Sequence, residues 1–237
     1  MATLNKVSQE ACWCCGSKSG TRFKPSLWPE LGAEWELSSE EYEYIDRQQG
    51  EVCTACNSNL RSQALAKAIL LATGARGPLK RFTVSVRGRL LRLLEINRAG
   101  HLTEFLTGFN RHRLMEYPQL DMMNMPSDYE GHYDLVVHSD TLEHLPDPVR
   151  GLRECYRVLK PGGAICFTVP IVVGRLTRSR SGLPPSYHGS RDHSDYLVHT
   201  EYGADAWRHV LQAGFTECRI TAVRPPIAHA LVGMKTM

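Results

Sequence analysis

The chain has no apolar run long enough to cross a bilayer. Its longest, Ala164–Val173, is broken by Thr168 and Pro170 and falls well short of the ~18 residues a spanning helix needs, so it reads as a buried strand. Strong charge of either sign is also lacking. The 28 Lys and Arg against 25 Asp and Glu leave a net charge of +3, too weak a field to advertise a nucleic-acid partner. There is no internal repeat, which excludes a solenoid. Met1–Glu10 is polar and holds no apolar signal core, so the expectation is a cytoplasmic protein with no membrane partner. What is present, 42% hydrophobic and 22% charged residues in 237, suits one sizeable core with a small satellite and excludes disorder, collagen and coiled coil.

Cysteine is unevenly spread. Five of the eight lie in the first 56 residues, as Cys12-Trp13-Cys14-Cys15 and Cys53-Thr54-Ala55-Cys56, while Cys155, Cys166 and Cys218 stand alone in apolar surroundings as small core residues. The pairs Cys12/Cys15 and Cys53/Cys56 have the two-residue gap that lets thiolates on one tight turn face a tetrahedral ion, which predicts a four-cysteine zinc site. Reduced, unliganded thiols are the alternative. Cys14 could replace Cys12 or Cys15 as a ligand. Four thiolates fill the coordination sphere, so such zinc is structural, and it would order a module over 1–64 that has too little apolar surface to fold alone.

Beyond Cys56, Leu60, Ala64, Leu65, Ala68, Ile69 and Ala72 recur at helical spacing and predict a helix over Leu60–Ala72. Strands are expected at Leu90–Ile96, Tyr133–His138, Ala164–Pro170, Glu217–Val223 and Ile227–Gly233. Helices are expected at Leu102–Leu106, Val149–Leu159 and Tyr202–Ala213, with a Gly/Ser/Pro-rich loop over 174–190. This alternation predicts an α/β domain over 65–237, a mostly parallel sheet with helices on both faces. Ligands of such sheets bind beyond the carboxyl ends of the strands.

Leu93-Leu94-Glu95-Ile96, Asp121-Met122, Tyr133-Asp134-Leu135-Val136-Val137, Leu142-Glu143-His144 and Arg157-Val158-Leu159-Lys160-Pro161-Gly162-Gly163 resemble, in that order, the class I S-adenosylmethionine-dependent methyltransferases with their Rossmann-like sheet. The resemblance runs from about Leu90 to Pro170. Glu116-Tyr117, Gly203-Ala204-Asp205 and the N-terminal cysteines are similar to a bacterial subset with zinc knuckles. The resemblance implies that Glu95 opens the cofactor loop, that Asn97, Ala99 and Gly100 carry it, and that Glu116 with Tyr117 receives the ribose. It further implies that Asp121 and Met122 hold the adenine, and that Ser139 lies against the cofactor. Glycines expected two, four and six residues after the acid are here Asn97, Ala99 and His101, and the bulk of His101 demands a different path for the loop. Four residues between Glu116 and Asp121 leave no room for the usual helix, so an abbreviated sheet edge is expected.

Methyl transfer from a sulfonium needs alignment, exclusion of water and, for a hydroxyl or protonated amine, a base. Candidate bases are His138, Asp140 and His144 after a strand, and His188, His193 and His199 in the later polar loop. Of these, His188, His193, Asp140 and His144 are the preferred catalytic set, although Glu143 and His144 could merely brace their turn. His188, His193 and His199 with Asp192 or Asp195 could instead bind a second metal. Arg175, Arg178, Arg180 and Arg191 read as a solvated rim, or as recognition of an anionic small-molecule substrate. The sequence thus predicts methylation of an oxygen or nitrogen of a small metabolite, such as a sugar or natural-product intermediate. The rivals are a non-catalytic binding or scaffold protein with this fold, and an RNA methyltransferase, against which the missing Asn-Pro-Pro-aromatic motif argues.

Overall fold

The structure is a computed structural model that describes residues 10–188, 194–224 and 228–236. The N-terminal part holds β1 (Thr21–Phe23), α1 (Pro29–Glu34), α2 (Ser39–Gly50) and β2 (Glu51–Cys53), with β1 and β2 paired antiparallel. There follow α3 (Leu60–Ala72), α4 (Leu79–Thr83), α5 (Val86–Leu90), β3 (Arg92–Ile96), α6 (Thr103–Leu106), β4 (Arg111–Met115), β5 (Tyr133–Ser139), α7 (Pro148–Val158) and β6 (Leu159–Thr168). The last third holds β7 (Ile171–Val172), β8 (Arg178–Ser179), β9 (Thr200–Gly203), α8 (Trp207–Gln212), β10 (Glu217–Val223) and β11 (Ala228–Met234).

The main sheet has the order β10-β11-β6-β5-β3-β4. Strands β3 to β6 are mutually parallel, and β10 and β11 form an antiparallel hairpin whose inner strand pairs antiparallel with β6. The expected mostly parallel sheet is therefore present. No strand lies between β4 and β5, so β4 forms the abbreviated edge that the short Glu116–Asp121 interval demanded.

Side-chain alternation splits the core in two. Leu93, Leu135, Val137 and Cys166 pack toward α3 and α4, and Leu94, Val136, Ile165 and Phe167 toward α7 and α8. Both faces are covered, which is why these strands read as near-continuous apolar runs. Helix α3 has the predicted bounds: Asn59 caps it by accepting from Ser62 N, and its buried residues include Leu60, Leu65, Ile69 and Leu70. It runs across the expected module junction at 64/65, and it shares one apolar cluster with Cys12, Cys14 and Cys53 on one side and the sheet on the other.

The expected helix over Tyr202–Ala213 is corrected at its start. Tyr202 and Gly203 close β9, and the helix begins only at Trp207. Strand β9 joins β7 and β8 in a separate three-stranded sheet, and a Cβ on Gly203 would stand 2.2 Å from the Arg175 carbonyl oxygen. Only a glycine fits that approach of two backbones. The region expected to be loop over 174–190 thus contains β8. Among the described residues, no helix is long and apolar enough to cross a membrane.

Candidate active site

A cleft of about 710 Å³ opens over the carboxyl ends of β3, β4 and β5. Of the residues singled out for the cofactor, Asn97, Ala99, Gly100, Glu116, Tyr117, Asp121, Met122 and Ser139 all line it, as do Asp140, His144 and His188. Glu95 lies beneath the lining, fully buried. Its carboxylate accepts from Ala99 N at 2.9 Å and Thr103 Oγ1 at 2.5 Å, and meets His112 Nε2 at 2.7 Å, so it braces the cofactor loop from below. The loop keeps two left-handed residues, Asn97 at φ 56° and Gly100 at φ 57°, conformations that asparagine and glycine tolerate. Asn97 Oδ1 then accepts from Tyr117 N at 3.0 Å, tying the β3 and β4 crests together. The expected detour at His101 is made by turning outward: its side chain is 55% exposed, beside Glu104, and it does not line the cleft.

Each remaining crest residue is held locally. Asp121 Oδ1 accepts from Met123 N at 2.8 Å, Ser139 Oγ lies 2.7 Å from Thr168 Oγ1, and Glu116 stands 3.6 Å from Arg98 Nε. Asp140, at φ 49°, is gripped at 2.6 Å by Arg61, itself almost fully buried at the first turn of α3. That ion pair fixes the Asp140 side chain at the cleft.

The histidines separate. His138 is fully buried in β5, stacked on Phe167 at 4.9 Å with neither ring nitrogen hydrogen-bonded, and burial pushes its imidazole down to about 3. It is a core residue and not a base. His199 lines a different depression, beside Arg180 and Pro184. His193 and Asp192 lie outside the described residues. His144 and His188 do meet, with ring centroids 5.2 Å apart, and burial lowers both imidazoles, His188 to about 3. Between them lies Glu143, buried on the turn after β5, with a carboxyl driven well above its usual range by burial and then by the Asp140 charge.

The second wall of the cleft comes from the N-terminal part of the chain. Leu27, Trp28, Leu31, Trp35, Ile45 and Gln49, from the chain between the two cysteine pairs, line it opposite the sheet. Trp35 is 1% exposed and donates through Nε1 to Ser186 Oγ at 2.9 Å, and its ring lies 5.3 Å from that of His188. Local signals for this wall were available: Trp28, Leu31 and Trp35 at helical spacing, Pro29 in the first turn of α1, and a capping box at Ser38 and Glu41 that starts α2. Of the described arginines of the later cluster, Arg175 secures this cap. Arg175 pairs with Glu41 at 2.9 Å and donates to Trp35 O, while Arg178 and the buried Arg180 both pair with Glu201.

At the N-terminus, Cys12, Cys15, Cys53 and Cys56 converge, with Cys12 and Cys56 Sγ 3.8 Å apart and Cys15 and Cys53 Sγ 3.9 Å apart. Tetrahedral bonds of ~2.3 Å place sulfurs ~3.8 Å apart, so the four fit a zinc ion. The two turns are alike: the residue after each second cysteine, Gly16 and Asn57, is left-handed, at φ 84° and 57°. Cys14 is turned away, its Sγ 3.5 Å from Ser62 O, so it replaces neither neighbour.

Comparison with known proteins defines the class first. Residues 84–167 match the family model described as a methyltransferase domain, and this segment spans β3 to β6 and hence the crests that line the cleft. The sheet is a Rossmann-like methyltransferase fold. Among particular relatives, the "Ubiquinone biosynthesis O-methyltransferase" of Pseudomonas savastanoi pv. phaseolicola is 30% identical over 104 residues, 44% of this chain and 45% of the relative. That of Yersinia pestis (strain Pestoides F) is 37% identical over 65 residues, 27% of this chain and 26% of the relative. The chain thus spans less than half the length of these curated relatives. Among solved structures, a Burkholderia thailandensis 1,6-didemethyltoxoflavin-N1-methyltransferase with bound S-adenosylhomocysteine is 13% identical at TM-score 0.43, covering 92% of this chain and 96% of that one.

Proposed function

We propose that the chain is an S-adenosylmethionine-dependent methyltransferase acting on an oxygen or nitrogen of a small molecule. The observation that carries this reading is the cleft over β3, β4 and β5, in which the residues expected to bind the cofactor share one lining although they come from three separate crests. In this reading the methionine tail crosses Asn97–Gly100 and Ser139, Glu116 takes the ribose hydroxyls, and Asp121 with Met122 receives the adenine. The acceptor enters beneath Trp28 and Trp35, whose flat apolar faces exclude water and favour a planar or apolar acceptor. His144 and His188, held neutral, stand where it would arrive. The curated relatives, named as O-methyltransferases, favour an oxygen as the methyl acceptor.

Zinc at Cys12, Cys15, Cys53 and Cys56 belongs to the same reading. It would supply folding free energy and no chemistry, since four sulfurs leave no open position. The module over 1–64 then serves the domain over 65–237 as a stapled cap. Calorimetric titration tests the function: S-adenosylmethionine and S-adenosylhomocysteine should each bind at one equivalent, and silence at millimolar ligand would reject it in favour of a binding or scaffold protein.

A further inference from the structure

Glu143 poses a problem the cofactor does not solve. It is 1% exposed, and among the described residues neither carboxylate oxygen has a hydrogen-bond partner. A buried carboxylate without partners is costly, and such orphans call for an explanation that includes an ion. The nearby cation is already committed, since Arg61 pairs with Asp140 at 2.6 Å. What does face Glu143 Oε1 is a pair of imidazole nitrogens, His144 Nε2 and His188 Nδ1, each 3.8 Å away. All three ligand atoms lie within 4.8 Å of one another.

The ring orientations suit metal ligation. His144 Nδ1 lies 3.1 Å from Leu197 O and donates to it, which leaves the lone pair on Nε2 directed at Glu143, the arrangement in which a ligating histidine is fixed through its other nitrogen. His188 is wedged between Trp35 and His144, and its backbone N–H donates to Tyr196 O at 3.0 Å. Ligands ~2.1 Å from a first-row ion stand ~3.0–3.5 Å apart, so closure needs only side-chain shifts of several tenths of an ångström. Two imidazoles and one carboxylate hold such an ion and leave positions open. Because His144 and His188 line the cleft, those positions face it.

We propose that Glu143, His144 and His188 form a divalent-cation site, separate from the cysteine cluster and harder in its donors. It explains why an unpartnered carboxylate is buried beside two imidazoles, one of them from a distant loop. Resting on the methyltransferase reading, the ion's role would be to bind the acceptor's hydroxyl oxygen and ease loss of its proton to solvent. The oxygen then takes the methyl group, the carbon–sulfur bond breaks, and its electron pair stays on sulfur as S-adenosylhomocysteine.

Manganese is the discriminating probe, because thiolates select softer ions. With the cysteines supplied with one equivalent of Zn²⁺, titration with MnCl₂ followed by the electron paramagnetic resonance of free Mn²⁺ should show one further bound ion per chain. Glu143→Gln and His188→Asn should each weaken it at least ~tenfold, the smallest loss seen even when an outer partner of a ligand is removed. Circular dichroism and thermal melting establish that each variant is folded, and the His188 variant decides if the Glu143 variant is not. No bound Mn²⁺ in the parent chain, or equal binding by a folded variant, would overturn the site. Titration of the parent with S-adenosylhomocysteine separates the two readings. Manganese without nucleoside binding would remove the methyltransferase reading alone, and nucleoside without manganese would remove the cation site alone.

Discussion

The two walls of the cleft are built on opposite principles. The sheet wall is made by short turns that follow β3, β4 and β5, held largely by bonds within one stretch of chain or to the next crest, such as Asp121 to Met123 N and Asn97 to Tyr117 N, with Asp140 tied instead to Arg61. The cap wall is made by pieces far apart in sequence: Trp35 bonds Ser186, Arg175 grips Glu41, and Val172 and Val198 pack on Leu31 and Ile45. A wall of local turns can be read in order from a sequence, and a wall of distant pairs cannot. In the proposed function the difference also divides the labour, with the cofactor facing the sheet and the acceptor facing the cap.

The strongest way to break this division is to withdraw the zinc proposed at the four cysteines. Apparent zinc free energies in small thiolate modules run to ~10–16 kcal/mol, and α1 and α2 lie wholly between the two knuckles. A chelator should therefore collapse hydrogen-exchange protection in α1 and α2 first, while β3 to β6 stay protected. Uniform loss across the chain would show that the walls are not separable. Trp35→Ala should cost ~3–5 kcal/mol in urea unfolding, as expected for a fully buried tryptophan, and should leave S-adenosylhomocysteine affinity within about threefold in whatever fraction stays folded. A tenfold loss would place the cofactor against the cap.

Glu95→Gln probes the sheet wall. The amide keeps the shape, and its oxygen can still accept from Ala99 N and Thr103, but its NH2 replaces the oxygen that meets His112 Nε2, so a stability loss of ~1–3 kcal/mol is expected, together with weaker nucleoside binding in calorimetry. The smallest effect is a change of slope with pH. His138 is depressed to about 3 in the folded chain, below its unfolded value of ~6.5. The unfolded chain then binds the extra proton first, and stability falls as pH drops from ~6.5 toward 3, by at most ~1.4 kcal/mol per unit. His138→Phe removes two unpaired buried nitrogens and should flatten that acid limb without lowering stability at pH 7.

Much of the fold was legible for the same reason as the sheet wall. Helix α3 and strand β10 have the bounds their periodicity predicted, because both signals are carried by neighbouring residues. The late helix was misplaced because Tyr202 continues an apolar pattern, while the choice of strand there depends on pairing with Ile171 and Arg178, residues outside any local window. In the site, the residues lining the sheet side of the cleft were singled out by ordered motifs. The contacts of Arg61, Glu143 and the tryptophan wall were not legible there, since an arginine on an apolar helix and a glutamate in a turn acquire meaning only from Asp140 and His188 across the fold. His101 shows the converse. Its bulk forbade a tight glycine loop, and the chain met that constraint by pointing it into solvent.

The most direct test is a crystal of the chain grown with S-adenosylhomocysteine. Adenine beside Asp121 and Met122, ribose at Glu116, and the amino-acid tail over Asn97–Gly100 would bear out the division of the cleft. A nucleoside lodged against Trp28 and Trp35, or a cleft that stays empty at saturating ligand, would contradict it.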